Sequence, residues 1–179
     1  MIDPRATRRW LYRGLYLAIC SVLVFVHILP VDLQAGRVPG PDLMICLTFA
    51  WVLRRPRFVP TLLIAFVFLV TDMLYMRPPG LWAALVVIGV EFLRSREQPT
   101  RETPFMVEWG MVAAVLTVIT LAYRLILWLT MVPQVSLGLT LLELIFTLLA
   151  YPVVVFASRA LLGVRKIAPG ELDALGNRV

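Results

Sequence analysis

Few side chains in this 179-residue sequence can do chemistry, and most of them stand in apolar surroundings. They are Cys20, His27, Asp42, Cys46, Asp72, Glu91, Glu108, Arg124 and Glu143. With one histidine, a His-based metal site or a nucleophile triad would have to draw its other members from scattered acids. The two cysteines belong to no CxxC pair and no Cys/His cluster, so they read as small buried apolar residues. No GxSxG elbow, HExxH helix, Walker loop or glycine-rich phosphate loop is present. The expectation is a chain without catalytic residues, cofactor or metal.

Ionisable groups inside apolar segments are costly and therefore informative. Glu91 and Glu108 fall near the basic ends of their segments, where Arg94, Arg96 or Arg101 can pair with them. His27 and Asp42 fall near the opposite end. Asp72 closes an apolar segment just before Arg77-Pro78-Pro79-Gly80, a turn that prolines stiffen and glycine permits. A carboxylate there can accept backbone N–H groups that lipid cannot satisfy. Arg124 and Glu143 lie at similar depth on two segments joined by a short turn at Pro133. An interhelical Arg124–Glu143 clamp is expected, ahead of a proton or substrate path, which needs a longer chain of such groups.

The elements that carry these groups follow from the hydropathy pattern. The composition is 60% hydrophobic and 16% charged, and the apolar residues come in blocks separated by Arg, Pro and Gly. The blocks are 10–29, 41–53, 59–75, 80–93, 105–132 and 137–162, with a short start at 1–9 and a tail at 163–179. The second and fourth are short for a straight crossing, so they are extended by their flanks or packed inside a bundle. The fold class expected is all-α, a polytopic membrane bundle of about six transmembrane helices in one domain. No internal repeat stands out, which weakens an inverted-repeat transporter.

Charge sets the orientation. Of 17 Lys and Arg residues, fourteen fall at one side of this layout, only Arg37 and Arg77 at the other, and Arg124 within a block. The positive-inside rule then places both termini in the cytoplasm, in agreement with an even number of crossings. The net charge of +6 is thereby explained by topology, and no nucleic-acid partner is implied. The partner implied by the blocks themselves is membrane lipid.

Residues 38–96 carry an ordered set of features: Gly40-Pro41-Asp42-Leu43, Trp51, Arg54-Arg55-Pro56, Asp72-Met73-Leu74, Pro79-Gly80, Ala84-Leu85 and Glu91-Phe92-Leu93-Arg94. This set resembles the rod shape-determining MreD family. One departure is that Phe68 and Leu69 fill the turn before Asp72, where that family often has a small residue. The resemblance implies a non-enzymatic inner-membrane subunit of the cell-elongation machinery. It would pair with a bitopic MreC-type protein and so link MreB filaments to RodA and its penicillin-binding synthase. It also implies a fold like the substrate-binding subunit of energy-coupling-factor transporters, so a vitamin-type binding subunit is the alternative. Short external loops nearly bare of charge argue against that alternative. The two short helices are the expected partner-facing side, with Ala50, Ala83, Ala84 and Gly89 permitting close approach.

Overall fold

The structure, a computed structural model, describes residues 4–29, 39–96 and 104–162. Residues 31–38 of the expected external segment 31–40, together with Arg101 and the tail 163–179, lie outside the described residues. Six α-helices and one 3-10 turn make up the described residues, and no strand occurs among them. The helices are α1 (Pro4–Ile28), α2 (Leu43–Arg54), α3 (Thr61–Leu74), α4 (Leu81–Arg96), α5 (Phe105–Leu129) and α6 (Leu137–Leu162), with the 3-10 turn at Pro56–Phe58. Three segments, Arg9–Ile28, Phe105–Leu129 and Leu137–Ala160, are long and apolar enough to cross a membrane. α1 starts well before the apolar block, because backbone hydrogen bonding continues through Arg8 and Arg9 irrespective of polarity.

The ends of the helices are chemically specified. Asp42 caps α2, its side chain accepting from the Met44 and Ile45 N–H groups at 3.1 Å each. Pro60 and Pro104 precede α3 and α5, where a missing N–H costs nothing. α3 and α5 end alike. Arg77 N–H bonds to Asp72 O at 3.0 Å and Met76 N–H to Met73 O, while Val132 N–H bonds to Leu127 O at 3.0 Å and Met131 N–H to Trp128 O. These are paired 6→1 and 5→2 closures. The left-handed positions are filled by Met76 (φ 51) and Met131 (φ 54) rather than by glycine, and a proline follows two residues on. Gly80 (φ 86) then turns the chain into α4.

α2 is the hub. Every residue from Met44 to Leu53 is buried, and Phe49, Ala50, Trp51 and Val52 are fully so. The other helices form an arc around it in the spatial order α1, α3, α4, α5, α6, with α6 and α4 its main neighbours. The 12-residue length of α2 therefore reflects enclosure by protein. The expectation that α2 faces a partner is corrected: no face of it is left over. The α1–α2 seam holds Tyr16 OH against Thr48 Oγ1 at 2.9 Å, and Thr48 Oγ1 donates onward to Met44 O. The outward faces remain apolar, with Phe25 on α1, Leu62 and Phe66 on α3, Trp128 on α5 and Phe156 on α6 all well exposed. Such an exterior suits a hydrocarbon surrounding better than water.

Pro152 interrupts the hydrogen-bond ladder of α6, leaving Leu148 O without its helical donor. The indole N–H of Trp109 on α5 takes that place, at 3.0 Å from Leu148 O. A sequence defect in one helix is thus repaired by its neighbour, which ties α5 to α6 at that level.

Candidate functional site

The helix ends formed by Asp42, the α3–α4 turn and the α5–α6 turn gather at one end of the bundle. Asp72 holds this turn end together. It is 1% exposed, and its Oδ2 accepts the backbone N–H of Gly80 and of Ala83 at 3.1 Å each. The last turn of α3 therefore caps the first turn of α4. Asp72→Asn can place its carbonyl oxygen where Oδ2 sits and keep both bonds. Asp72→Leu strands the buried Ala83 donor at roughly 1–3 kcal/mol and the part-buried Gly80 donor at less. In thermal unfolding of the detergent-solubilised protein, Asn should melt near the parent and Leu several degrees below it. An equal fall for both would assign the effect to the charge.

Beside this brace lies a cavity of about 310 Å³, the low end of small-molecule pockets. Two acids, Asp42 and Glu143, and two bases, Arg77 and Arg124, line it together with Trp82 and Tyr123. Arg77 lies over the rings of Tyr75 (5.4 Å) and Trp82 (5.7 Å). Thr147 Oγ1 accepts the Asp42 N–H at 3.0 Å and donates to Glu143 O, fastening the start of α2 to α6.

The expected Arg124–Glu143 ion pair is corrected. Arg124 Nη1 donates to Val135 O at 3.0 Å and to Thr140 Oγ1 instead, and the Gln134 side chain returns a bond to Arg124 O. The guanidinium reaches up to the turn, whose carbonyls lack helical donors, rather than across to Glu143, about one helical turn deeper. Glu143 instead lines the cavity together with Asp42 and Arg77.

Comparison with family models, curated proteins and solved structures gives no match.

At the opposite, basic end, a buried cluster joins three helices. Glu108, in the first turn of α5, receives Arg54 Nη1 of α2 at 2.8 Å and the Tyr151 hydroxyl of α6 at 2.9 Å. Their side chains are 9% exposed for Arg54 and 3% for Glu108. Arg54, from the preceding basic stretch, is thus a partner that the sequence did not suggest, while the expected partner Arg101 lies outside the described residues. Packing of α5 beside α6 and α2 brings Arg54 closer than sequence proximity would suggest. Glu91 does pair with Arg94, at 3.3 Å, and accepts from Thr61. Arg94 also reaches Val59 O, closing the entrance to α3.

The remaining candidates are dispersed. Pro41 precedes the α2 cap and is exposed. Gly80 supplies the turn before α4, Ala84 points outward from α4, and Gly89 is buried against α5. His27 is exposed, its ring 4.7 Å from that of Tyr75. Cys20 and Cys46 are buried free thiols, with Cys46 Sγ donating to Thr147 O at 3.3 Å. No group of three metal-ligating side chains occurs among the described residues. Sequence reasoning counted Arg77 only for topology and passed over Trp82, Tyr123 and Thr147. The available signal was two aromatic residues and a cation all near helix ends on the side with least charge.

Proposed function

We propose that this chain is a non-enzymatic, multi-pass inner-membrane subunit of the MreD type, with both termini cytoplasmic. In this reading it scaffolds an MreC-type bitopic partner, and through it MreB filaments and the RodA–penicillin-binding synthase pair. One observation carries the reading: the acidic, proline and glycine members of the family-like pattern meet at the turn end. Pro41-Asp42-Leu43 opens and caps the central helix, and Asp72 with Gly80 fixes the α3–α4 turn. Three long apolar helices and an apolar exterior support the membrane part. With α2 enclosed, the partner-facing role falls to α4, whose Ala84, Ile88 and Phe92 form an exposed stripe at four-residue spacing.

The test is depletion in the native cell together with recovery of partners in mild detergent. Rods should become spheres, and a bitopic MreC-type protein should co-purify. Rods that persist while uptake of one vitamin disappears would reject this reading in favour of the second, a small-molecule binding subunit similar to those of energy-coupling-factor transporters. A specific observation favours that second reading: the short loops nearly bare of charge do not prevent four charged side chains from lining the turn-end cavity.

A further inference from the structure

The charges around the turn-end cavity are balanced in number but not paired with one another. Arg124 spends its guanidinium on Val135 O and Thr140. Asp42 spends Oδ1 on the start of α2, leaving Oδ2 over. No hydrogen bond or ion pair engages the Glu143 carboxylate or the Arg77 guanidinium among the described residues. Arg77 uses only the face of its guanidinium, over Tyr75 and Trp82, and this orients the group while leaving its in-plane N–H donors available. Unsatisfied charges of both signs around one cavity are costly in an apolar setting, and a ligand carrying both complementary charges would satisfy them together.

We propose that this cavity binds a small zwitterion, with a primary ammonium held by Glu143 and Asp42 and a phosphate held by Arg77. An ammonium has three donors and suits two carboxylates, while a planar guanidinium suits an oxyanion. Trp82 and Tyr123 line the same cavity and give the ligand's carbon skeleton an apolar wall. The chemistry is that of phosphoethanolamine, which can arrive as the headgroup of a bilayer lipid or as a free soluble molecule. The site stands independently of the scaffold reading, since a scaffold that fails to bind an MreC-type partner can still hold a zwitterion.

The experiment uses the full chain in mild detergent. Native mass spectrometry and thermal unfolding are read with phosphatidylethanolamine, phosphatidylcholine, phosphatidylglycerol, glycerophosphoethanolamine and ethanolamine as separate probes. The ethanolamine-headed zwitterions should bind and raise the melting temperature. Phosphatidylcholine, whose quaternary ammonium cannot donate, should bind more weakly, as should the anionic lipid and ethanolamine alone. A response to the lipid and to glycerophosphoethanolamine supports the site with the headgroup sufficient; a response to the lipid alone supports it with the bilayer as source. Glu143→Gln and Arg77→Gln should each weaken binding about tenfold or more while melting near the parent without ligand, as neither side chain holds a hydrogen bond. Arg77→Lys, which keeps the charge, should retain part of the affinity and serves if the Gln variant does not fold. Equal binding of all lipids, binding indifferent to both substitutions, or no binding of any probe would overturn the proposal.

Discussion

Glu108→Ala should lower the stability of the detergent-solubilised protein by about 3–5 kcal/mol, because it leaves a buried guanidinium without its counter-charge. Arg54 and Tyr151 both point their donors at this one carboxylate, so a single truncation disconnects α2, α5 and α6 at the basic end. The loss is the cost of the stranded charge more than the worth of the pair. The double variant Arg54→Leu/Glu108→Leu should therefore recover most of it, since apolar replacements of similar size need no partner. Tyr151→Phe removes one hydrogen bond to a carboxylate that keeps Arg54, and should cost only about 1–2 kcal/mol. Equilibrium or thermal unfolding of the four proteins side by side gives the ranking. If the single and double variants are equally unstable, the cluster acts through volume and not through charge.

Gly89→Leu should prevent α4 from seating on α5, with little folded protein recovered. A Cβ at position 89 would lie 2.5 Å from Ile119 Cδ1 and 2.9 Å from Val115 Cγ1. The isoleucine tip can swing aside, but the valine methyl sits on a stiff β-branched side chain whose helix would have to move. For Gly89→Ala overpacking costs typically about 1–3 kcal/mol and the better helix former returns about 1, so a net loss of up to about 2 kcal/mol is expected. Leucine gains a similar helix propensity but adds three further carbons to the same clash. Size-exclusion behaviour and yield after extraction read the result. Trimming the unyielding residue, as in Gly89→Ala/Val115→Ala, should relieve the clash and recover part of that loss. A Gly89→Leu protein that elutes and melts like the parent would show that the α4–α5 interface is looser than its geometry.

The six helices could be read from the sequence because apolar blocks and Pro/Gly/Arg breaks report local chain behaviour. The bracing role of Asp72 could also be argued, since the Pro78-Pro79-Gly80 turn follows within its reach. What could not be read was who neighbours whom. The length of α2 announced that it was short, not that α6 and α4 enclose it. Glu108 was assigned to arginines on its own side by sequence proximity, whereas Arg54 arrives through packing across 54 positions. Arg124 and Glu143 matched in depth when measured by backbone rise. A long guanidinium side chain does not stay at the depth of its Cα, and the unmet carbonyl of Val135 decided its direction. The charged cavity was invisible for the same reason: its four ionisable residues come from four separate stretches of sequence, and each looked like an isolated end residue.

The enclosure of α2 has a consequence for how the chain comes to be folded. Synthesis delivers α2 early, but its most extensive neighbour, α6, is the last of the described helices to emerge. The bonds that fasten α2 at both ends wait for it too: Asp42 N–H to Thr147 at one, and Tyr151 completing the Glu108 cluster at the other. The α3–α4 hairpin, closed by Asp72 from within a few residues, can form as soon as it exists. Folding therefore runs out of order: the central helix is committed only when α6 arrives, and until then much of its apolar surface is uncovered. A chain broken off before α6 would consequently be a substrate for quality control rather than a smaller version of the same protein.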